Sequence, residues 1–370
     1  MQKVHETQAL QALEAFDLGG AAISAQPYGN GHINDTFLVK TPGRDYILQR
    51  INTDIFTDPD GLMANISAVT AHLGQRIRAR GGDPLRQTLT VVPTRRGEAF
   101  HRDDNGCWRV YVFVTGSVTH ETAETPAVLE SAGRAFGAFV LDLGDFPAHT
   151  LHETVPNFHN TPSRLQQLQD AIAQDKAGRA KDVQPEIDAV LAFAGETDAL
   201  VRQLEAGVLP LRVTHNDTKL NNILFDAQTG EGMCVIDLDT VMPGLIAYDF
   251  GDAIRVGGNT TTEGDPDVSH VDVHMANFAA FTRGLLETVP AVLTDAEAAS
   301  LVTGAKLMTW EVASRFLADH LNGDVYFHIH YSGQNLDRAR NQIALVQAIH
   351  RHQAEMEAIV AETWQRLRAR

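Results

Sequence analysis

Cysteine is almost missing from the 370 residues; Cys107 and Cys234 are the only two. Both fall in apolar stretches, which points to buried free thiols in a reducing cytoplasm and away from a disulfide framework. Positive charge is also scarce, with 30 Lys and Arg against 47 Asp and Glu and a formal net charge of −17. Nucleic acid is therefore not an expected partner, because binding its backbone needs clustered cations. ATP is not excluded on that ground, since local positive groups and Mg²⁺ decide its binding. No apolar run approaches the roughly 20 residues of a membrane helix, so no membrane partner is expected. The first residues, Met-Gln-Lys-Val-His-Glu-Thr, lack a basic segment followed by an apolar one, and no signal peptide is read there. The expectation is a cytoplasmic protein.

What is present fits a folded chain with a real core: 44% of residues are apolar and 21% charged. The length suits one large domain or two lobes of ordinary size. Helical periodicity over Glu6 to Phe16 is followed by Gly29-Asn30-Gly31-His32-Ile33-Asn34, a glycine-rich turn between extended segments. Glycines there let backbone amides approach phosphates. Asn34 stands where a third glycine of G-x-G-x-x-G would be, and a plain hairpin turn is the competing reading. Asp45 to Asn52 reads as a strand whose Gln49 or Arg50 could meet nucleotide phosphates; an edge Arg50 turned to water is the alternative. Pro59 to Gly74 is helical, with Ala64 and Asn65 where a kinase helix carries a glutamate. Further strands are expected over Thr88 to Pro93, Ala99 to His101 and Cys107 to Val114. After Phe113-Val114-Thr115-Gly116 the pattern turns helical, which sets a boundary between residues 1–116 and 117–370. Helices are expected over Thr125 to Leu143, Ser163 to Ala180, Pro185 to Glu205 and Asn335 to Arg368. Another opens on the capping box Thr294-Asp295-Ala296-Glu297 and runs to about Leu321.

The most informative stretch runs from Val213 to Asp239. Short apolar runs at Leu209 to Val213 and Ile223 to Phe225 flank a polar loop with His215, Asp217, Lys219 and Asn222. The run Cys234 to Ile236 delivers Asp237. These are the parts of a phosphoryl-transfer site. Asp217 can accept a hydroxyl proton, Lys219 can neutralise charge on the moving group, and Asn222 and Asp237 can hold Mg²⁺. Asp239 projects to the same side of an extended chain and is a second metal candidate, or a turn-forming residue before Pro243-Gly244. Asp249-Phe250-Gly251 spells D-F-G but lies too far past Asn222 to be the metal-bearing motif.

On Gly29 to Thr36, His215 to Asp226, Cys234 to Gly244 and Trp310 to Phe327, the chain resembles the aminoglycoside-phosphotransferase-like branch of the protein-kinase-like fold. Within it, the N-acetylhexosamine 1-kinases are most similar. The resemblance implies an α+β bilobal fold, with a sheet-rich, nucleotide-binding N-lobe (1–116) and a mostly helical, catalytic C-lobe (117–370). It implies Asp217 as catalytic base, Lys219 as charge stabiliser, and Asn222, Asp237 and Asp239 around Mg²⁺. It implies ATP contacts from Gly29, Asn30, Gly31, Gln49, Arg50, Phe113 and Thr115, and a structural role for Asp249. Sugar contacts map to His32, Asn34, Arg315 and Tyr326. Arg315 can instead pair with Glu311 four residues earlier, and Tyr326 can be ordinary core. The implied reaction is ATP-dependent phosphorylation of the anomeric hydroxyl of an N-acetylhexosamine, by a monomer or weak homodimer. Kinases of aminoglycosides, choline or homoserine, and a nucleotide-binding pseudokinase, are the alternatives. His328, His330, His350 and His352 lack the carboxylates or thiols of a metal site and read as solvated.

Overall fold

The computed structural model describes residues 6–29 and 33–369. Asn30, Gly31 and His32, named above for nucleotide and sugar contacts, lie outside the described residues. The chain forms two compact units, one from 1–118, 145–156 and 223–243 and the other from 119–144, 157–222 and 244–370.

The first unit is built on an antiparallel sheet. Helix α1 (Glu6–Leu13) precedes strands β1 (Ser24–Pro27), β2 (Asp35–Lys40) and β3 (Tyr46–Ile51). Helices α2 (Pro59–Ala79) and α3 (Pro84–Gln87) follow, then β4 (Val91–Val92), β5 (His101–Asp103) and β6 (Gly106–Val112). The order is β1-β2-β3-β6-β4, with β5 also on β6. Side chains alternate across a strand, so register fixes the two faces. Phe37, Val39, Tyr46, Leu48, Trp108, Val110 and Val112 share one face and form a core with Ala9, Leu13 and Phe16 from α1 and the turn after it. The pairing Gln49↔Arg109 puts those two polar side chains on the opposite face. Helix α2 starts where Asp58 caps the Gly61 amide and Pro59 occupies the first turn. A smaller sheet joins β7 (Ser117–Val118) to a hairpin of β9 (Ile223–Asp226) and β10 (Gly232–Val235). The intervening strand β8 (Arg212–Thr214) belongs to the second unit.

The second unit is mainly helical: α4 (Pro126–Asp142), α5 (Thr161–Gln174), α6 (Gln184–Leu191), α7 (Ala199–Glu205), α8 (Ile246–Gly257), α9 (Met275–Thr288), α10 (Asp295–Asn322) and α11 (Gln334–Arg368). Helix α10 begins with the expected capping box, Thr294 and Glu297 bonding reciprocally, and ends at left-handed Gly323. It packs on α8 and α11, while α4 packs on α9. Small residues permit these approaches. A Cβ on Gly304 would lie 2.1 Å from the Ala247 carbonyl oxygen, and one on Gly284 would lie 2.0 Å from that of Glu130.

Two expected helices are shorter than the periodicity suggested. The segment from Pro185 to Glu205 breaks into α6, a 3-10 turn at Ala194–Glu196 and α7, since Gly195 interrupts the run. The helix expected to Ala180 stops at Gln174, because Asp175 turns left-handed and its carboxylate takes the Arg179 and Ala180 amides. Both cysteines are buried free thiols, and burial pushes the Cys234 thiol up to about 12.

Candidate active site

In the second unit the residues after β8 are held by α8. The Asp249 carboxylate accepts from the His215 amide at 2.9 Å and the Asn216 amide at 2.7 Å, while Thr218 Oγ1 donates to the Asp249 carbonyl at 2.5 Å. Asp249 thus has the supporting role expected of it. Burial raises its pKa, with neighbouring His215 and the two amide bonds pulling the other way. Asn216 is left-handed at φ 63°, a conformation a non-glycine residue keeps only when its surroundings enforce it. The His215 ring is buried against Phe136 and Phe139, and its Nδ1 accepts the Asp217 amide at 3.3 Å.

That frame brings Asp217, Lys219 and Asn222 together. Lys219 Nζ lies 2.6 Å from Asp217 Oδ1, and Asn222 Nδ2 donates to Asp217 Oδ2 at 3.0 Å and to its carbonyl at 2.8 Å. About a quarter of the Asp217 side chain stays accessible (27%), so a ligand can reach it. Burial opposes ionisation of Asp217, but Lys219 and the Asn222 bond outweigh it and hold the carboxyl below its usual range. Lys219 is in turn raised, with Asp217 and Asp252 outweighing its desolvation. Since Asn222 spends its NH₂ group on Asp217, its amide oxygen is the end left for a cation.

Arg315 also lies in this unit. It pairs with Glu311 at 3.5 Å, as its four-residue spacing suggested, and its guanidinium sits over the rings of Phe158, Tyr326 and Phe327 at 5.5–5.8 Å. Tyr326 is 68% exposed, so it is not core.

In the first unit, Asp237 is exposed and left-handed at φ 59°, just after β10. Asp239 is only 3% exposed. Its Oδ1 meets Arg109 Nη1 at 2.5 Å and its Oδ2 accepts from Asn34 Nδ2 at 2.7 Å. Asn34 Oδ1 takes the Asn52 amide at 2.9 Å, so both ends of its amide are engaged. Arg109 Nε also donates to Gln49 Oε1 at 3.0 Å, and Gln49 Nε2 to Thr36 Oγ1 at 3.1 Å. A polar line, partly buried at Thr36 and Gln49 and fully buried at Arg109, thus crosses β2, β3 and β6 to Asp239. Desolvation opposes the charge on Arg109, but Asp239, and further off Asp237, keep it firmly protonated.

Arg50 is not part of this line. It lies on the α1-facing side of the sheet, donating to Asp35 Oδ2 at 2.6–2.9 Å and to the Asn105 carbonyl at 3.2 Å. Of the two β3 candidates, Gln49 faces Arg109 and Asp239, because adjacent strand residues point opposite ways. The lone arginine in Cys-Trp-Arg-Val-Tyr-Val was a signal that sequence reasoning passed over. Asn65, standing where a helix glutamate was sought, is 1% exposed. It donates to the His152 and Val241 carbonyls and accepts from the His152 amide, tying α2 to backbone. Phe113 packs edge-on against Tyr28 at 5.9 Å, Thr115 is exposed, and Gly29 has φ 77°.

The phosphotransferase enzyme family matches residues 24–281. The chain belongs to that family. The match spans both polar clusters, from the glycine-rich turn to α9. Solved structures agree on the fold. A spectinomycin phosphotransferase in complex with ADP and spectinomycin is similar over 94% of this chain and 99% of its own, at 12% identity and a TM-score of 0.61. An aminoglycoside phosphotransferase from Alicyclobacillus acidocaldarius covers 100% and 98%, at 14% and 0.58. A choline/ethanolamine kinase family protein from Mesorhizobium loti covers 91% and 92%, at 17% and 0.54. Family and fold together give the expected α+β, protein-kinase-like architecture, sheet-rich towards the amino terminus and helical towards the carboxyl terminus. Among the described residues no group of three or more His, Cys, Asp or Glu gathers as a metal site, and no helix is long and apolar enough to cross a membrane.

Proposed function

We propose that this chain is an ATP-dependent kinase that phosphorylates the anomeric hydroxyl of an N-acetylhexosamine. The observation that carries the reading is the Asp217 carboxylate, ionised and accessible, held by Lys219, Asn222 and the Asp249-anchored loop. Asp217 orients the acceptor hydroxyl and takes its proton as that oxygen bonds to the γ-phosphorus and ADP departs. An anomeric hydroxyl is more acidic than its neighbours, so positioning and charge neutralisation supply most of the rate. Lys219 offsets negative charge on the moving phosphoryl group. The oxygen-only donors Asn222 and Asp237 suit Mg²⁺, which when bound neutralises the phosphate oxygens. In this reading residues 1–116 hold the nucleotide, through Gly29, Asn30, Gly31, Gln49, Phe113 and Thr115, and residues 117–370 carry catalysis and sugar binding. Arg315 and Tyr326, with His32, offer the forked and mixed donors that a neutral sugar needs. Asn34 and Asp239 fasten the end of the glycine-rich turn.

A kinase for another small alcohol is the second reading, favoured by the acceptors named for the similar solved structures, spectinomycin among them. Against a cationic acceptor stand Arg315 and Arg164, both near Glu311, at 3.5 and 3.8 Å. Competition by N-acetylglucosamine against kanamycin or choline separates the two readings. The test of the proposal is Asp217→Asn, which should fold and bind ATP yet lose sugar-dependent ADP release by at least about a hundredfold. Turnover near that of the natural protein would refute it.

A further inference from the structure

His159 lies just before α5, on no part of the motif that marks the catalytic loop. Its side chain is about 10% accessible. Nδ1 faces both Glu311 oxygens, at 3.2 and 3.1 Å, and Nε2 faces the Asn216 carbonyl oxygen at 3.2 Å. A carbonyl oxygen only accepts, so Nε2 carries a hydrogen. A carboxylate also only accepts, and Glu311 is 0% exposed with Arg315 and Arg164 beside it, which keeps it ionised. Both ring nitrogens therefore donate, and a ring that donates twice is an imidazolium.

The bond to Asn216 has a mechanical consequence. The peptide joining Asn216 to Asp217 is held at its oxygen by His159 and at its nitrogen by His215 Nδ1. The Asn216 amide is fixed separately by Asp249. These bonds enforce the left-handed Asn216 and so set where the Asp217 side chain starts. We propose that His159 is a positioning residue, kept as a buried imidazolium by Glu311, that clamps the Asn216 carbonyl and thereby aims Asp217.

The surroundings agree. Desolvation disfavours charge on His159, but Glu311, and more remotely Asp252, overcome it and raise its pKa. Burial raises Asp249, and His159 is among the groups that oppose that rise, while the Tyr248 ring packs on the imidazole at 5.4 Å. Arg164 and Arg315 face Glu311 from α5 and α10.

The positioning half of the inference rests on the phosphotransfer reading; the protonation half does not. Nitrogen-15 NMR of the His159 ring in the natural protein tests the latter directly. Both nitrogens should carry protons well above the ordinary histidine titration near pH 6.5. In Glu311→Gln the ring should become neutral within the ordinary range. A ring already neutral at pH 7 in the natural protein overturns the proposal. For the positioning half, His159→Gln should lower kcat by roughly 10–100-fold while KM for ATP stays within about twofold, as displacement of a catalytic group predicts. An unchanged kcat in a folded His159→Gln protein overturns the proposal. Failure of the kinase reading would look different: no magnesium-dependent ATP turnover in the natural protein, with the NMR result standing.

Discussion

Replacing Arg109 with methionine is a sharp probe of the first unit. The Arg109 and Asp239 side chains are 1% and 5% accessible and meet at 2.5 Å. Methionine fills much of the arginine's volume beside Met63 but leaves the buried Asp239 carboxylate without its cation, with the Asn34 bond remaining among the described residues. Breaking a buried pair from one side costs about 3–5 kcal/mol, more than the pair contributes against an apolar replacement, because the stranded charge has lost its water. In a unit of this size each kcal/mol lowers Tm by about 2–4 °C, so Arg109→Met should lose at least about 6 °C. Adding Asp239→Leu should restore most of the loss, since removing both charges is often close to neutral. Differential scanning calorimetry of the two single variants and the double variant closes the cycle. A loss below about 1 kcal/mol in Arg109→Met, or a double variant as unstable as the sum of the singles, would refute the buried-pair account.

Other outcomes follow from the same geometry. Lys219→Met removes the main charge that lowers Asp217, so the acid limb of kcat/KM should move to higher pH; an unmoved limb would deny their coupling. Gly304→Ala drives a Cβ to within 2.1 Å of the Ala247 carbonyl oxygen and should cost about 1–3 kcal/mol or more, read as a lower Tm. The raised pKa of His159 makes its contribution to stability full below about pH 6.5, falling as pH rises through the folded-state value. The Tm gap between the natural protein and His159→Gln should therefore be widest below about pH 6.5 and narrow as pH rises above it.

How much the chain announces depends on how local each feature is. His215, Asp217, Lys219 and Asn222 fall within eight residues, and one strand–loop–strand unit suffices to gather them. The capping box before α10 and the proline at the start of α4 are equally local, and both helices begin where those signals put them. The supporting groups are not local. Arg109 meets Asp239 through strand pairing and a distant hairpin, and His159 meets Glu311 from 152 residues away. No periodicity reports such partners. Arg50 shows the complementary failure: its charge suggested a nucleotide contact, while a one-residue step along β3 turned it to the face shared with Asp35. The break between α6 and α7 was missed because the apolar pattern continues across Gly195.

Asn65 anchors α2 with an uncharged amide bonded to main chain. An ion pair at such a junction responds to salt, to acidity and to phosphate groups added nearby, and these give a cell a handle for moving a helix. The neutral bonds of Asn65 to main chain give it none, so what such signals can reach on α2 is its exposed ion pairs, Asp60 with Arg102 and Arg76 with Asp145.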